Sequence, residues 1–72
     1  MIEELNPVQD TMAFIMLGTY GLDAKTREIA VDRLMEVENH KALQLVYYNT
    51  KYPETTQQIK DFLKTKGIEL DI

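Results

Sequence analysis

The sequence predicts a small all-α domain of three or four helices, with a long central helical region and a short extended C-terminal tail. The stretch from Leu22 to Tyr52 contains no Gly or Pro, and most of its residues are good or tolerable helix formers. The chain has 72 residues, near the lower end of what folds unaided, and no cysteine to form disulfides. We therefore expect residues 1–72 to form one domain, with self-association supporting its small core.

The first helix is expected over residues 7–17. Asn6 is a favoured N-cap residue, and Pro7 suits the first position of a helix. Gly18 and Gly21 are expected to bracket the turn that ends it. The first half of this helix is amphipathic, so one face is expected to turn towards the core: Val8, Met12 and Ile15.

The central region is expected to be helical over residues 23–50, with Asp23 as its N-cap. Its apolar pattern is interrupted at residues 38–41, which allows two interpretations. One is a continuous helix with a polar patch near its middle, and the other is two helices with a bend or short turn near Asn39. Because no Gly or Pro forces a break, we favour the continuous helix. A helix of that length would span about 42 Å and would need a partner to cover much of it.

A third helix is expected over residues 54–66, because Pro53 disfavours helical geometry in the residue before it. Gly67 suits the position after the helix, and Ile68 can make the hydrophobic contact typical of such an end. Residues 68–72 alternate apolar and polar side chains, which indicates an extended tail that lies on the helices or pairs across a dimer axis. The expected inner face of the third helix consists of Ile59, Phe62 and Leu63.

The charge distribution argues against nucleic-acid binding and membrane insertion. The net charge is −4, and the densest group of bases, Lys60, Lys64 and Lys66, is interrupted by Asp61. The longest apolar run, residues 12–17, is far shorter than the roughly 20 residues of a membrane span. Acidic residues stand where a signal peptide would carry bases. We expect a cytoplasmic protein that binds neither nucleic acid nor membrane.

Catalytic and metal sites are not expected either. The chain contains no Cys and no Ser, and its single His excludes the usual zinc sites of nitrogen and sulfur ligands. Glu36 and His40 stand four residues apart and could share a helical face, but an exposed charged face explains them better. We therefore predict a non-enzymatic protein without a cofactor, a catalytic residue or a metal ligand.

A binding surface is the function that the sequence favours. Residues 12–17 are apolar nearly all round, so one small bundle cannot easily cover every side of the first helix. Two tyrosines four residues apart later in the chain could anchor a partner as well. The predicted surface for self-association or protein binding consists of Met12, Phe14, Met16, Leu17, Tyr20, Tyr48 and Tyr52.

These observations predict a small regulator or inhibitor that acts stoichiometrically on a larger protein partner and self-associates, most simply as a homodimer. The partner itself is not predicted. Two alternatives from other classes are a small DNA-binding transcriptional regulator and a structural or assembly protein. For DNA binding, Thr26 to Ala30 invites comparison with the first helix of a helix-turn-helix unit, but no turn follows.

Overall fold

The computed structural model describes residue 6 and residues 8–68. This part of the chain contains four helices and no strand, which confirms the all-α fold. The helices are α1 (Thr11–Tyr20), α2 (Ala24–Glu36), α3 (His40–Asn49) and α4 (Pro53–Thr65). Among the described residues no helix is both long and apolar enough to cross a membrane.

Helix α1 begins and ends later than the sequence predicts. The Asn6 side-chain oxygen accepts hydrogen bonds from the backbone N–H groups of Val8 (2.8 Å) and Gln9 (3.3 Å), but the segment that it caps is a turn. The helix proper starts at Thr11, and Pro7 lies outside the described residues. At the other end, Gly18 lies inside the helix, so the expected end at residue 17 is wrong.

The favoured continuous helix over residues 23–50 is also wrong, because the backbone leaves right-handed helical geometry at Glu38. Glu38 has a φ of 53°, in the left-handed region that a helix cannot contain. The N–H of Asn39 bonds to the carbonyl of Leu34 and that of Glu38 to the carbonyl of Met35, the pattern of a Schellman end. Asn39 then caps α3, since its side chain accepts a hydrogen bond from the N–H of Ala42 at 3.1 Å.

The predicted ends of the last helix and the predicted start of α2 are confirmed. The Asp23 side chain accepts from the N–H of Thr26 and caps α2. Gly67, at φ 74°, ends α4 with the same hydrogen-bond pattern as Glu38, and Ile68 packs against the core. The alternating tail is described only as far as Ile68, so the strand-like pattern of residues 69–72 lies outside the described residues.

The core lies where all four helices meet. Helix α1 packs mainly against α2 and α3, and α4 covers the same two helices. At the inner face of α4, Phe62 is only half-buried, while its neighbours in that predicted face are buried as expected. The buried hydrophobic residues are Phe14, Ala30, Val31, Leu34, Ala42, Leu43, Val46, Ile59 and Leu63.

Candidate protein-binding surface

The orientation of α1 is set by Phe14 and Gly18, which lie one turn apart on the same face. Phe14 is completely buried. A Cβ atom on Gly18 would lie 3.2 Å from Cγ2 of Val31 and 3.5 Å from both γ carbons of Val46. The missing side chain at Gly18 therefore lets α1 approach α2 and α3 closely, with Phe14 inserted between them.

This orientation reverses the predicted inner and outer faces of α1. Phe14 belongs to the core, so its assignment to a binding surface is wrong. Val8 and Met12, expected to face the core, are exposed, whereas Ile15 is half-buried against it. The cause is that no residue from Thr11 to Leu22 is charged, so the helix has no polar side to mark its solvent face.

Three large side chains instead form the solvent face of α1, and we call them the outer stripe. Met12 is 67% exposed, Met16 is 50% exposed and Tyr20 is 59% exposed. They are spaced four residues apart, which places them in one row along the helix. Leu17, also predicted for the binding surface, is only partly exposed and packs against the core. Of the side chains predicted for the binding surface, Met12, Met16 and Tyr20 are exposed, although Met12 was also expected to face the core, whereas Phe14 and Leu17 pack inside.

The two predicted tyrosine anchors outside α1 do not share a helical face. Helix α3 ends at Asn49, so Tyr48 and Tyr52 lie on different segments. Tyr48 is half exposed and meets the Tyr47 ring edge-on, with 5.3 Å between the ring centres. Tyr52 is half-buried under a guanidinium group, which gives it a structural role within the domain.

That guanidinium belongs to Arg27, a buried cation that holds the C-terminal end of the outer stripe in place. Its Nη1 donates to the carbonyl of Gly21 at 2.6 Å, and its Nη2 donates to Glu54 Oε1 at 2.9 Å. Its guanidinium carbon lies 3.5 Å from the centre of the Tyr52 ring. Arg27 is only 5% exposed, so these contacts replace the hydration of its two Nη groups, whereas its buried Nε has no hydrogen-bond partner. They tie the corner between α1 and α2 to the start of α4.

Sequence reasoning missed Arg27 because a charged residue on a helix is ordinarily read as surface. A signal was present, since Arg27 precedes Ala30 and Leu34 at spacings of three and seven residues. These spacings place it on the buried face of α2. The end of α3 supplies a second tie to α1, because the Thr50 hydroxyl donates to the carbonyl of Thr19 at 3.2 Å. The outer stripe is therefore carried by a helix fixed along its inner face and at its end.

Two carboxyl groups beside these contacts have shifted pKa values. The pKa of Glu54 is lowered from its ordinary value of 4.5, because its carboxylate accepts a hydrogen bond from its own backbone N–H and another from Arg27. The pKa of Asp32 is raised from 3.8 by partial burial, although a hydrogen bond from Gln58 acts in the opposite direction. Both groups lie on the α2–α4 side of the domain.

An open cleft of about 370 Å³ lies between the first turns of α2 and α4 on that side. It offers carboxylates and an amide, but its lining residues include no nucleophile paired with a base: Ala24, Glu28, Glu54, Thr55 and Gln58. Within the described residues, no three His, Cys, Asp or Glu side chains are placed to hold a metal ion. Glu36 and His40 belong to different helices, and Glu36 pairs with Arg33 at 3.0 Å.

The outer stripe is accordingly the feature of the described surface that calls for a functional explanation. Comparison of the chain with protein-family models, curated proteins and solved structures yields no match.

Proposed function

We propose that this chain is a small protein-binding module that occupies a surface on a larger partner through the outer stripe. The observation that carries the proposal is the row of Met12, Met16 and Tyr20 on a helix without any charged residue. Contiguous exposed apolar side chains of this kind mark interaction sites in soluble proteins. The module would act stoichiometrically, as a regulator or inhibitor that blocks or recruits its partner.

The chemistry of the three side chains supports protein binding. Methionine is flexible and polarisable, so it adapts to irregular apolar surfaces, and tyrosine is enriched at protein interfaces. Fully burying one such aliphatic side chain contributes roughly 1.5–3 kcal/mol. With half to two-thirds of each side chain exposed, the outer stripe could contribute about 3–5 kcal/mol before the entropic cost of association is subtracted.

Self-association through the same stripe is the alternative that this observation also favours. A twofold dimer would pair the outer stripe with its own copy. Light scattering across a dilution series separates the two ideas, because a homodimer would change its mean mass with concentration. A foreign partner predicts a monomer whose mass stays constant over the same range.

The proposal can be tested by photocross-linking in the cells that produce the protein. Benzoylphenylalanine in place of Met16 should yield one discrete adduct after irradiation. The same group in place of Lys60, which is exposed on α4, should not yield that adduct. An adduct from both positions, or from neither, would argue against a binding role for the outer stripe.

A matched pair of substitutions makes the test specific. Met12→Lys introduces a charge at an exposed position of the outer stripe and should reduce the adduct formed at Met16. Leu45→Lys makes the same chemical change at an exposed apolar position of α3 and should leave the yield unchanged. Equal effects of the two substitutions would show that the contact does not depend on α1.

A further inference from the structure

The outer stripe holds two of the three methionines that the structure describes, and their exposure separates them from the third. Met12 is two-thirds exposed and Met16 is half exposed, both on the solvent face of α1. Met35, on α2, is half-buried and packs against the core. Met1 lies outside the described residues. An oxidant dissolved in water therefore meets the thioethers of the outer stripe more readily than the one at Met35.

Thioethers are the only sulfur groups of the chain, because it contains no cysteine. No thiol competes with them for a mild oxidant. Hydrogen peroxide oxidises a thioether by two electrons: a sulfur lone pair attacks one peroxide oxygen, the O–O bond breaks, an S=O bond forms and water leaves. The product, methionine sulfoxide, is polar and chiral, and methionine sulfoxide reductases convert it back to methionine.

Oxidation at these two positions would change the outer stripe without disturbing the core. Neither Met12 nor Met16 belongs to the core or to the half-buried hydrophobic residues packed against it. No residue from Thr11 to Leu22 is charged, and the Tyr20 hydroxyl is the one polar side-chain group of the row. A sulfoxide oxygen buried against an apolar surface loses its hydration and finds no donor, which weakens binding by roughly five- to 150-fold.

We propose that Met12 and Met16 form a peroxide-sensitive modification site that switches the outer stripe off. The two thioethers bind the partner, and the two sulfoxides release it until a reductase restores them. Only the free module exposes both sulfur atoms, so binding of the partner and oxidation by peroxide oppose each other. This inference rests on the proposed function and specifies the regulation of its surface.

The test uses the full-length chain with benzoylphenylalanine in place of Tyr20, which leaves both methionines of the outer stripe unchanged. The purified protein is treated with hydrogen peroxide, catalase then destroys the peroxide, and the protein is irradiated in a soluble extract of the cells that produce it. This order keeps the oxidant away from the partner. The matched control is Met12→Leu with Met16→Leu, a volume-conserving change to apolar side chains that peroxide does not oxidise.

Peptide mass spectrometry should find one added oxygen at Met12 and one at Met16 while Met35 stays unmodified. Circular dichroism should show the same helical content and thermal midpoint before and after oxidation. The oxidised protein should give at most about one fifth of the adduct that the untreated protein gives. Reductases for both sulfoxide epimers, supplied with a dithiol that is oxidised to its disulfide, should restore the yield. The leucine control should give equal yields with and without peroxide.

Each other result overturns the inference in a recognisable way. An oxidised protein that keeps its adduct yield would refute the switch and leave the proposed function intact. Oxidation of Met35 as fast as that of the other two would show that the outer stripe is not selectively modified. A loss of helical content would show that the two methionines support the fold. A yield that falls in the leucine control would place the peroxide effect elsewhere in the chain. No adduct from the untreated protein would refute the proposed function, and the inference with it.

Discussion

Replacing Glu38 with glycine is expected to stabilise the protein, although the residue lies far from any site. Glu38 joins α2 to α3 with a φ of 53°, a geometry in which the Cβ of an L-residue is crowded. Glycine has no Cβ and adopts this geometry freely. The end of α4 supplies the natural comparison, because the equivalent position of the same hydrogen-bond pattern is occupied by Gly67 at φ 74°.

The magnitude follows from two opposing terms. The left-handed geometry costs a residue with a side chain roughly 1–2 kcal/mol. About 0.4–1 kcal/mol of this gain is offset, because glycine raises the conformational entropy of the unfolded chain, which is lost on folding. The free energy of unfolding should therefore rise by about 0.5–1 kcal/mol, which raises the Tm of a domain this size by roughly 2–8 °C.

Thermal and urea unfolding followed by circular dichroism at 222 nm measures this change. Glu38→Ala serves as a control that removes the same charge but keeps a Cβ, and it should give no such gain. Gly67→Ala should lose about 0.5–1 kcal/mol, purely from backbone geometry, since a Cβ there would meet no atom within 4 Å.

The sign of the effect decides between the two interpretations of the central region. If residues 23–50 formed one continuous helix, glycine at position 38 would lie in its interior and would cost about 1 kcal/mol. A lower Tm for Glu38→Gly would therefore refute the break between α2 and α3.

Three further predictions concern the core, the buried cation and pH. Phe14→Ala should cost about 3–5 kcal/mol and unfold much of the protein, whereas Met16→Ala at an exposed position should cost less than about 1 kcal/mol in urea unfolding. Arg27→Ala should cost about 3 kcal/mol, since it removes two charge-assisted hydrogen bonds and the stacking on Tyr52. The folded state lowers the pKa of Glu54, so its carboxylate stabilises the fold above pH 4.5, and this contribution is lost as the pH falls through the lower, folded-state pKa. Glu54→Gln should therefore lower the urea midpoint at pH 7, and the difference from the unmodified protein should shrink towards zero in acid.

Much of the fold could be predicted because several of its signals are local. Asp23 before α2 and the Pro53 and Gly67 that bracket α4 act through geometry and hydrogen bonds within a few residues. The break at Glu38 could not be predicted in the same way, because a left-handed residue other than glycine leaves no mark in the sequence. Asn39, a favoured N-cap residue, was the one local indication of a new helix.

The candidate surface was predictable only in part, because the orientation of α1 depends on packing. An uncharged helix has no polar face, so the same ten residues permit either side to turn inward. The close approach at Gly18 determines which side of α1 turns inward. This approach depends on Val31 and Val46, which are distant in sequence. Met12 and Met16 were therefore predicted as surface together with Phe14, which the packing buries.

The outer stripe as a contact surface is the central claim, and methyl NMR of methionine tests it most directly. Protein labelled with ¹³C at the methionine methyl groups would be observed first in buffer and then in a concentrated soluble extract of the cells that produce it. Met35, half-buried against the core, provides an internal control within each spectrum. The methyl chemical shifts of Met12 and Met16 should change in the extract, while the chemical shift of Met35 stays the same. Unchanged chemical shifts for Met12 and Met16, or equal changes for all three, would contradict the claim.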